Sequence, residues 1–145
     1  MATTTASISI SSDMMGYPIN INKTMTMMKF QSCNGLEETS GLRAHKFEST
    51  SAISIVEQDE YTDTKASKVY IRNTGSSKEA FFYVAKHASA AGDATAGEAI
   101  GRLYGGDWML IPYLGDVNIT VAPSTAETMT LEYMVFAEGF LGGQG

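Results

Sequence analysis

The stretch whose reading decides the fold is Ile100–Ala122, IGRLYGGDWMLIPYLGDVNITVA. Leu103 and Tyr104 end one apolar segment, Gly105-Gly106-Asp107 permits a sharp reversal with positive φ, and Trp108 to Leu114 returns as the longest apolar run in the chain. That pattern predicts a hairpin. Gly115-Asp116 marks a second turn, after which Val117, Ile119 and Val121 alternate with Asn118 and Thr120 as in a half-buried strand. A three-stranded meander is expected, with Gly105, Gly106, Asp107 and Trp108 as turn and core positions. These residues build a core and carry no chemistry of their own.

Outward from this stretch the same period of two recurs. Downstream, Pro123 to Ala126 make a turn, and Met129, Leu131, Tyr133 and Val135 alternate with Thr130, Glu132 and Met134 in a long final strand. Upstream, Val69 and Ile71 face one way and Tyr70 and Arg72 the other. Asn73 to Ser77 then turn, and Phe81 to Lys86 return rich in aromatic and β-branched residues, predicting a second hairpin. Between the two, His87 to Gly97 is small and polar with no apolar stripe, and reads as a projecting loop. Shorter strands are expected at Ala52 to Val56 and near Leu42 to Phe47, and two more where Ile19 and Ile21, then Met25 and Met27, alternate with Asn and Thr. Nine to eleven short strands with no long helix indicate an all-β fold, an antiparallel β-sandwich or a jelly-roll-like barrel.

The ends differ from this body. Thr3 to Ser12 is a Ser/Thr run with Ile8 and Ile10 two apart, strand-like but poor in apolar surface, and reads either as an extended N-terminal arm that adds to a sheet edge in the same molecule or another, or as a frayed terminus. The expected organisation is an arm over 1–12, one β domain over 13–139 and a flexible tail over 140–145.

At 145 residues and 43% hydrophobic the chain supplies one ordinary core without staples. Its net charge of −6, from 10 Lys and Arg against 16 Asp and Glu, offers no basic field for phosphates, so direct nucleic-acid binding is not expected. The single cysteine, Cys33, excludes an intramolecular disulfide and fits synthesis in a reducing cytoplasm. The N-terminus has neither the basic nor the apolar region of a secretion signal, and the longest apolar run is far short of the roughly 20 residues that cross a bilayer, so no membrane association is expected.

No constellation announces catalysis. Cys33 with His45 or His87 lacks a recognisable nucleophile–base motif and an orienting third group. Glu57, Asp59, Glu60 and Asp63 cluster without calcium-loop spacing, and read as a solvated acidic loop. Gly105-Gly106 near Arg102 precedes a strand rather than a helix, so it offers no helix N-terminus to an anion. Tyr104, Trp108 and Tyr113 are a candidate platform for a sugar ring, although core anchoring is the preferred reading. Met25 and Met27 suit core gap filling, or a face that meets a partner.

The ordered set ASISISSD at the start, Lys68-Val69-Tyr70-Ile71-Arg72-Asn73, Gly101 to Trp108 leading into Ile111-Pro112-Tyr113, and Thr130-Leu131-Glu132-Tyr133 resembles small virion structural proteins of tailed phages of marine cyanobacteria. The resemblance implies a decoration or cement protein of the capsid, with a neck or tail component as the alternative. It implies no enzyme and no cofactor. The implied partners are the major capsid protein or another virion subunit together with further copies of the chain, and the implied location is the virion after synthesis in the host cytoplasm. A cement protein needs an arm, an accepting edge and reaching loops. The candidate assembly contacts are accordingly Ile8, Ile10, Met25, Met27, His87, Asp93, Phe140 and Leu141. The reading from another class is a carbohydrate-binding β-sandwich module using the three aromatics.

Overall fold

The computed structural model describes residues 3–13, 16, 18–27, 36, 38–58, 60, 67–87, 99–113 and 117–138. They form eleven strands: β1 (Thr5–Ser12), β2 (Ile19–Thr26), β3 (Glu38–Thr39), β4 (Arg43–Phe47), β5 (Ile53–Val56), β6 (Ser67–Asn73), β7 (Phe81–His87), β8 (Ala99–Tyr104), β9 (Trp108–Tyr113), β10 (Asn118–Pro123) and β11 (Met129–Ala137). Contacts divide the chain into two compact units, Met1–Glu37 with Glu138–Gln144, and Glu38–Ala137 with Gly145.

The second unit is a β-sandwich. One sheet runs β5-β10-β7-β8; the other runs β3-β11-β6-β9, with β4 continuing the edge that β3 begins beside β11. All pairings are antiparallel. From β4 onward every connection crosses between sheets except β7 to β8, which is the strand order of a jelly roll made of two Greek keys. Inward residues of the two sheets share one core: Phe47, Val69, Ile71, Leu131 and Val135 from one side, Val56, Phe82, Val84, Ile119 and Val121 from the other. The rings of Phe47 and Phe82 meet across it, centroids 5.1 Å apart.

The alternation read from β6 and β11 holds. Ser67, Val69, Ile71 and Asn73 are buried while Lys68, Tyr70 and Arg72 face outward, and on β11 Met129, Leu131, Val135 and Ala137 are buried. Pairing is where the expectation fails. The two expected hairpins do not exist: β6 lies between β9 and β11, β7 lies between β8 and β10, and β8, β9 and β10 fall in alternate sheets rather than forming a meander. Each of these strands has an apolar face that side-by-side pairing leaves bare, and placing consecutive strands in facing layers lets Val69 and Ile71 cover Phe82 and Val84. The hairpin that does form joins β7 to β8, across the segment read as a projecting loop; residues 88–98 of that segment lie outside the described residues.

Strand β10 was expected half-buried and is buried along its whole length. The Gln58 N–H donates to Asn118 Oδ1 at 2.6 Å and the Thr120 hydroxyl to the Ala85 carbonyl at 3.4 Å, while Asn118 Nδ2 is buried without a hydrogen-bond partner. On that sheet's outer side Ala85 and Ala122 pack with Ala52 and Tyr83. One bulge interrupts the β3–β4 edge. Thr39 opposes Phe136 but Arg43 opposes Tyr133, so one extra residue is absorbed around Ser40-Gly41-Leu42, with Gly41 at φ 72°.

The turn at Gly105–Asp107 is real but serves as a crossover. Tyr104 N–H donates to the Asp107 carboxylate at 3.0 Å and Asp107 N–H to the Tyr104 carbonyl at 2.9 Å. The Asp107 carbonyl then accepts from Asn73 N–H at 3.0 Å, Gly106 N–H donates to the Asn73 carbonyl at 2.9 Å, and Gly105 N–H donates to the Ser77 carbonyl at 2.8 Å. Buried Asn73 completes the lock, its amide donating to the Leu103 carbonyl and its Oδ1 accepting from Gly75 N–H, both at 2.9 Å.

Candidate assembly surface

The first unit contains the N-terminal segment, and it is not a lone arm. Strand β1 pairs with β2 over its full length, from Thr5 opposite Thr26 to Ser12 opposite Ile19. What was read as an arm over 1–12 followed by two short strands is one ribbon of two eight-residue strands. The chain reverses after Asp13, whose carbonyl accepts from Gly16 N–H at 3.3 Å, with Gly16 at φ 75°.

Directly opposed residues share a face, so the register sorts the ribbon into two unlike sides. One carries Thr5, Ser7, Ser9, Ser11, Asn20, Asn22, Thr24 and Thr26, where the Ser7 and Thr24 hydroxyls lie 2.8 Å apart and Asn22 Nδ2 donates to Asn20 Oδ1 at 2.7 Å. The other carries the pairs Ala6–Met25, Ile8–Lys23, Ile10–Ile21 and Ser12–Ile19. On this side Ile8 is 41% exposed, Ile10 45%, Ile19 49%, Ile21 41% and Met25 45%. Five large apolar side chains, each about two-fifths to one-half exposed, therefore share one face, with Lys23 the one charge among them.

The structure places Ile8, Ile10 and Met25 on one exposed face of the ribbon. Met27 is different: it is 1% exposed, its N–H bonded to the Thr4 carbonyl at 2.8 Å, and so it is not available as a contact. His87 ends β7 with its backbone opposite Asn118; its side chain, and Asp93, Phe140 and Leu141, lie outside the described residues. Sequence reasoning missed Ile19 and Ile21 because it treated their segment separately. Folding the two alternating segments about Asp13 to Pro18 is the signal that brings Ile10 onto Ile21.

The remaining candidates are dispersed. Tyr113 is buried and its hydroxyl donates to the Val117 carbonyl at 2.9 Å, while Tyr104 and Trp108 belong to different sheets, so the three aromatics form no platform. Trp108 also departs from the core role given to it: it is 53% exposed, opposite Arg72 on edge strand β9. An edge strand covers only its inward side, here Met109, Ile111 and Tyr113. Arg102 lies over the rings of Phe81 and Tyr83, 4.7 Å and 5.6 Å from their centroids, a stacking role and not an anion site.

His45 is exposed with its ring against Phe47, 4.7 Å between centroids. Cys33, Asp59 and Asp63 lie outside the described residues. Glu60 accepts from Glu57 N–H at 3.2 Å and lies 3.8 Å from Arg43, a turn held by its own side chain. Among the described residues no group of three His, Cys, Asp or Glu is placed to hold a metal, and no helix is long and apolar enough to cross a membrane.

A shallow polar groove of ≈360 Å³ lies between the β6–β7 and β10–β11 loops, lined by Asn73, Ser77, Glu127 and Thr130 among others. Two of its hydroxyls are bonded within the loops themselves: Ser77 Oγ accepts from Glu79 N–H and Ala80 N–H, and the Thr74 hydroxyl donates to the Thr130 carbonyl. On the outer face of the same sheet as Trp108, the Tyr70 hydroxyl donates to Glu132 at 2.7 Å and Arg72 lies 3.7 Å from the same oxygen. Burial, with the Glu132 hydrogen bond and charge, raises the Tyr70 phenol above its ordinary value against the opposing pull of Arg72.

By fold the protein is an all-β sandwich of jelly-roll strand order that carries a separate two-stranded ribbon. No protein-family model matches the chain, and no curated protein matches it. Among solved structures it is similar to the crystal structure of Yersinia pseudotuberculosis-derived mitogen, 12% identical, covering 74% of this chain and 90% of that one at a TM-score of 0.40. A likeness of that size carries no argument about function.

Proposed function

We propose that the protein is a structural subunit of a tailed-phage virion that decorates or cements the capsid through protein–protein contacts, without turnover. The observation that carries this reading is the exposed aliphatic face of the ribbon. A contiguous exposed apolar face of this size is often an interaction site. The resemblance of the ordered sequence set to cyanophage virion proteins supports the choice of particle. The jelly roll supplies a rigid body whose β9 edge, with Trp108 and Pro112, offers a further surface for a neighbour. The acidic charge suits an outer-shell position away from packaged DNA.

The test is sedimentation of the purified chain with empty phage heads. Saturable binding at a stoichiometry set by shell symmetry is expected. Rings or tubes formed by the chain alone, with no binding to heads, would move the assignment to the neck or tail, and a chain that neither binds nor assembles would end the virion reading.

A further inference from the structure

We infer that the open side of the jelly roll holds a binding slot for a small aliphatic carboxylate, whose chain enters between the two sheets and whose anionic end pairs with Lys86.

The sheets end side by side at β8 and β9, each the last strand of its sheet, and between them lies a slot of ≈180 Å³. Its walls are Ile111, Pro112 and Tyr113 of β9, Ile100 of β8, and Val117 and Ile119 where β10 begins. The one hydroxyl on these walls, that of Tyr113, already donates to the Val117 carbonyl at 2.9 Å and lies 3.3 Å from the Glu57 carbonyl. Two departures from regular strand structure accompany the slot. Ile100 is the extra residue of a bulge, since Val84 opposes Gly101 but Ala85 opposes Ala99, and it stands 55% exposed. Gly101, opposite the core residue Val84, contributes no side chain, and a Cβ there would meet nothing within 4 Å.

Charge selects the ligand. Lys86 lines the same slot. Alternation from Phe82 and Val84 puts it on the inward side of β7, directly opposite the core residue Ile119. It is exposed overall, which keeps its ammonium at the mouth, and it forms no ion pair with any described residue. A single cation beside apolar walls complements a molecule with one anionic end and an aliphatic body. A neutral hydrocarbon leaves the ammonium unmatched, and an aliphatic cation is repelled by it. Volume limits the body: at about 30 Å³ for a water-sized group, which is close to a methylene, the slot takes about six. With the carboxylate left at the mouth, the ligand is an acid of about six to eight carbons. Occupancy of the slot is independent of any capsid role.

The experiment titrates the full chain with sodium octanoate at about pH 7, following its isoleucine methyl groups by NMR. Saturable shifts are expected at Ile100, Ile111 and Ile119, with the exposed ribbon methyls of Ile8, Ile10 and Ile21 unmoved. Acetate, which lacks the chain, should shift none of them, and octylammonium should bind at least about fivefold more weakly than octanoate. Lys86→Gln should weaken octanoate about fivefold and abolish its preference over octylammonium. Ile100→Glu, which sets a carboxylate on the same slot as Lys86, should abolish octanoate binding. Both substitutions are at exposed positions, and unchanged methyl resonances of the core residues Ile55 and Ile71 check that each variant is folded. Shifts that do not saturate, ribbon methyls moving as far as those of the slot, equal affinity for octanoate and octylammonium, or full affinity in Lys86→Gln would overturn the inference.

Discussion

Three glycines within six residues of one crossover differ in the physical reason for their presence, and alanine at each separates those reasons. At Gly105 the backbone is ordinary, but a Cβ would stand 2.5 Å from Ser76 C and Ser77 N and 2.6 Å from Ser77 O. These are backbone atoms of the loop that receives the Gly105 N–H, so Gly105→Ala must push the crossover off the β6–β7 loop. Overpacking of this kind costs about 1–3 kcal/mol, and weakening the Gly105–Ser77 hydrogen bond adds about 1, giving roughly 2–4 kcal/mol. At Gly106 nothing lies within 4 Å, but φ is +89°, so alanine costs about 1–2 kcal/mol for conformation alone. Gly101 has open space and no positive φ, and Gly101→Ala should fall within about 0.5 kcal/mol of the parent. In a jelly roll of about 100 residues, 1 kcal/mol moves Tm by roughly 4–8 °C, so the first variant should melt at least about 8 °C lower. Urea unfolding followed by the fluorescence of the single Trp gives the three free energies. Trimming a side chain with Ser76→Ala should not rescue Gly105→Ala, because the overlap is with main chain. A Gly105→Ala variant as stable as Gly101→Ala would refute the close approach and, with it, the crossover geometry.

Phe82, fully buried where the two sheets meet, should cost about 3–5 kcal/mol on Phe82→Ala, whereas Trp108→Ala at a half-exposed edge should cost less than about 1; denaturant midpoints of the two variants decide it. Removing residues 1–27 should leave the jelly roll unfolding cooperatively, while removing only 1–12 strips β2 of its partner and should raise light scattering at equal concentration. Tyr70 has its phenol raised by burial and by Glu132, so the stability this confers is complete below the unfolded phenol value near 10.0 and is lost as pH rises through the higher folded value. Tyr70→Phe should flatten the fall in stability above pH ~10, and an unchanged alkaline slope would remove Tyr70 as its cause.

How much of this was legible beforehand divides along a physical line. Period-two alternation in β6 and β11 identified strands and their inward sides, since a pleated strand sends successive side chains to opposite faces whatever its partner. Asp107 and its two glycines announced a reversal for the same local reason. Partner choice was not legible. The crossover between β8 and β9 looks like a hairpin turn locally, and its passage between sheets is held by bonds to Asn73 and Ser77, which lie far away in the sequence. Trp108 was misread because burial of an aromatic depends on whether its strand lies at a sheet edge, which composition does not encode. In the ribbon, the Ser/Thr alternation marked a strand, yet the aliphatic face arises only when Ile10 meets Ile21.

By itself, then, the sequence determined an all-β chain, most of its strands and, in β6 and β11, their inward sides, because these follow from backbone geometry and residue type within a few positions. Tertiary structure alone decided which strands face one another across the core and that five scattered aliphatic residues gather on one exposed face. Both depend on pairings between distant segments, and many registers satisfy the same local pattern until apolar surface must be covered from both sides at once.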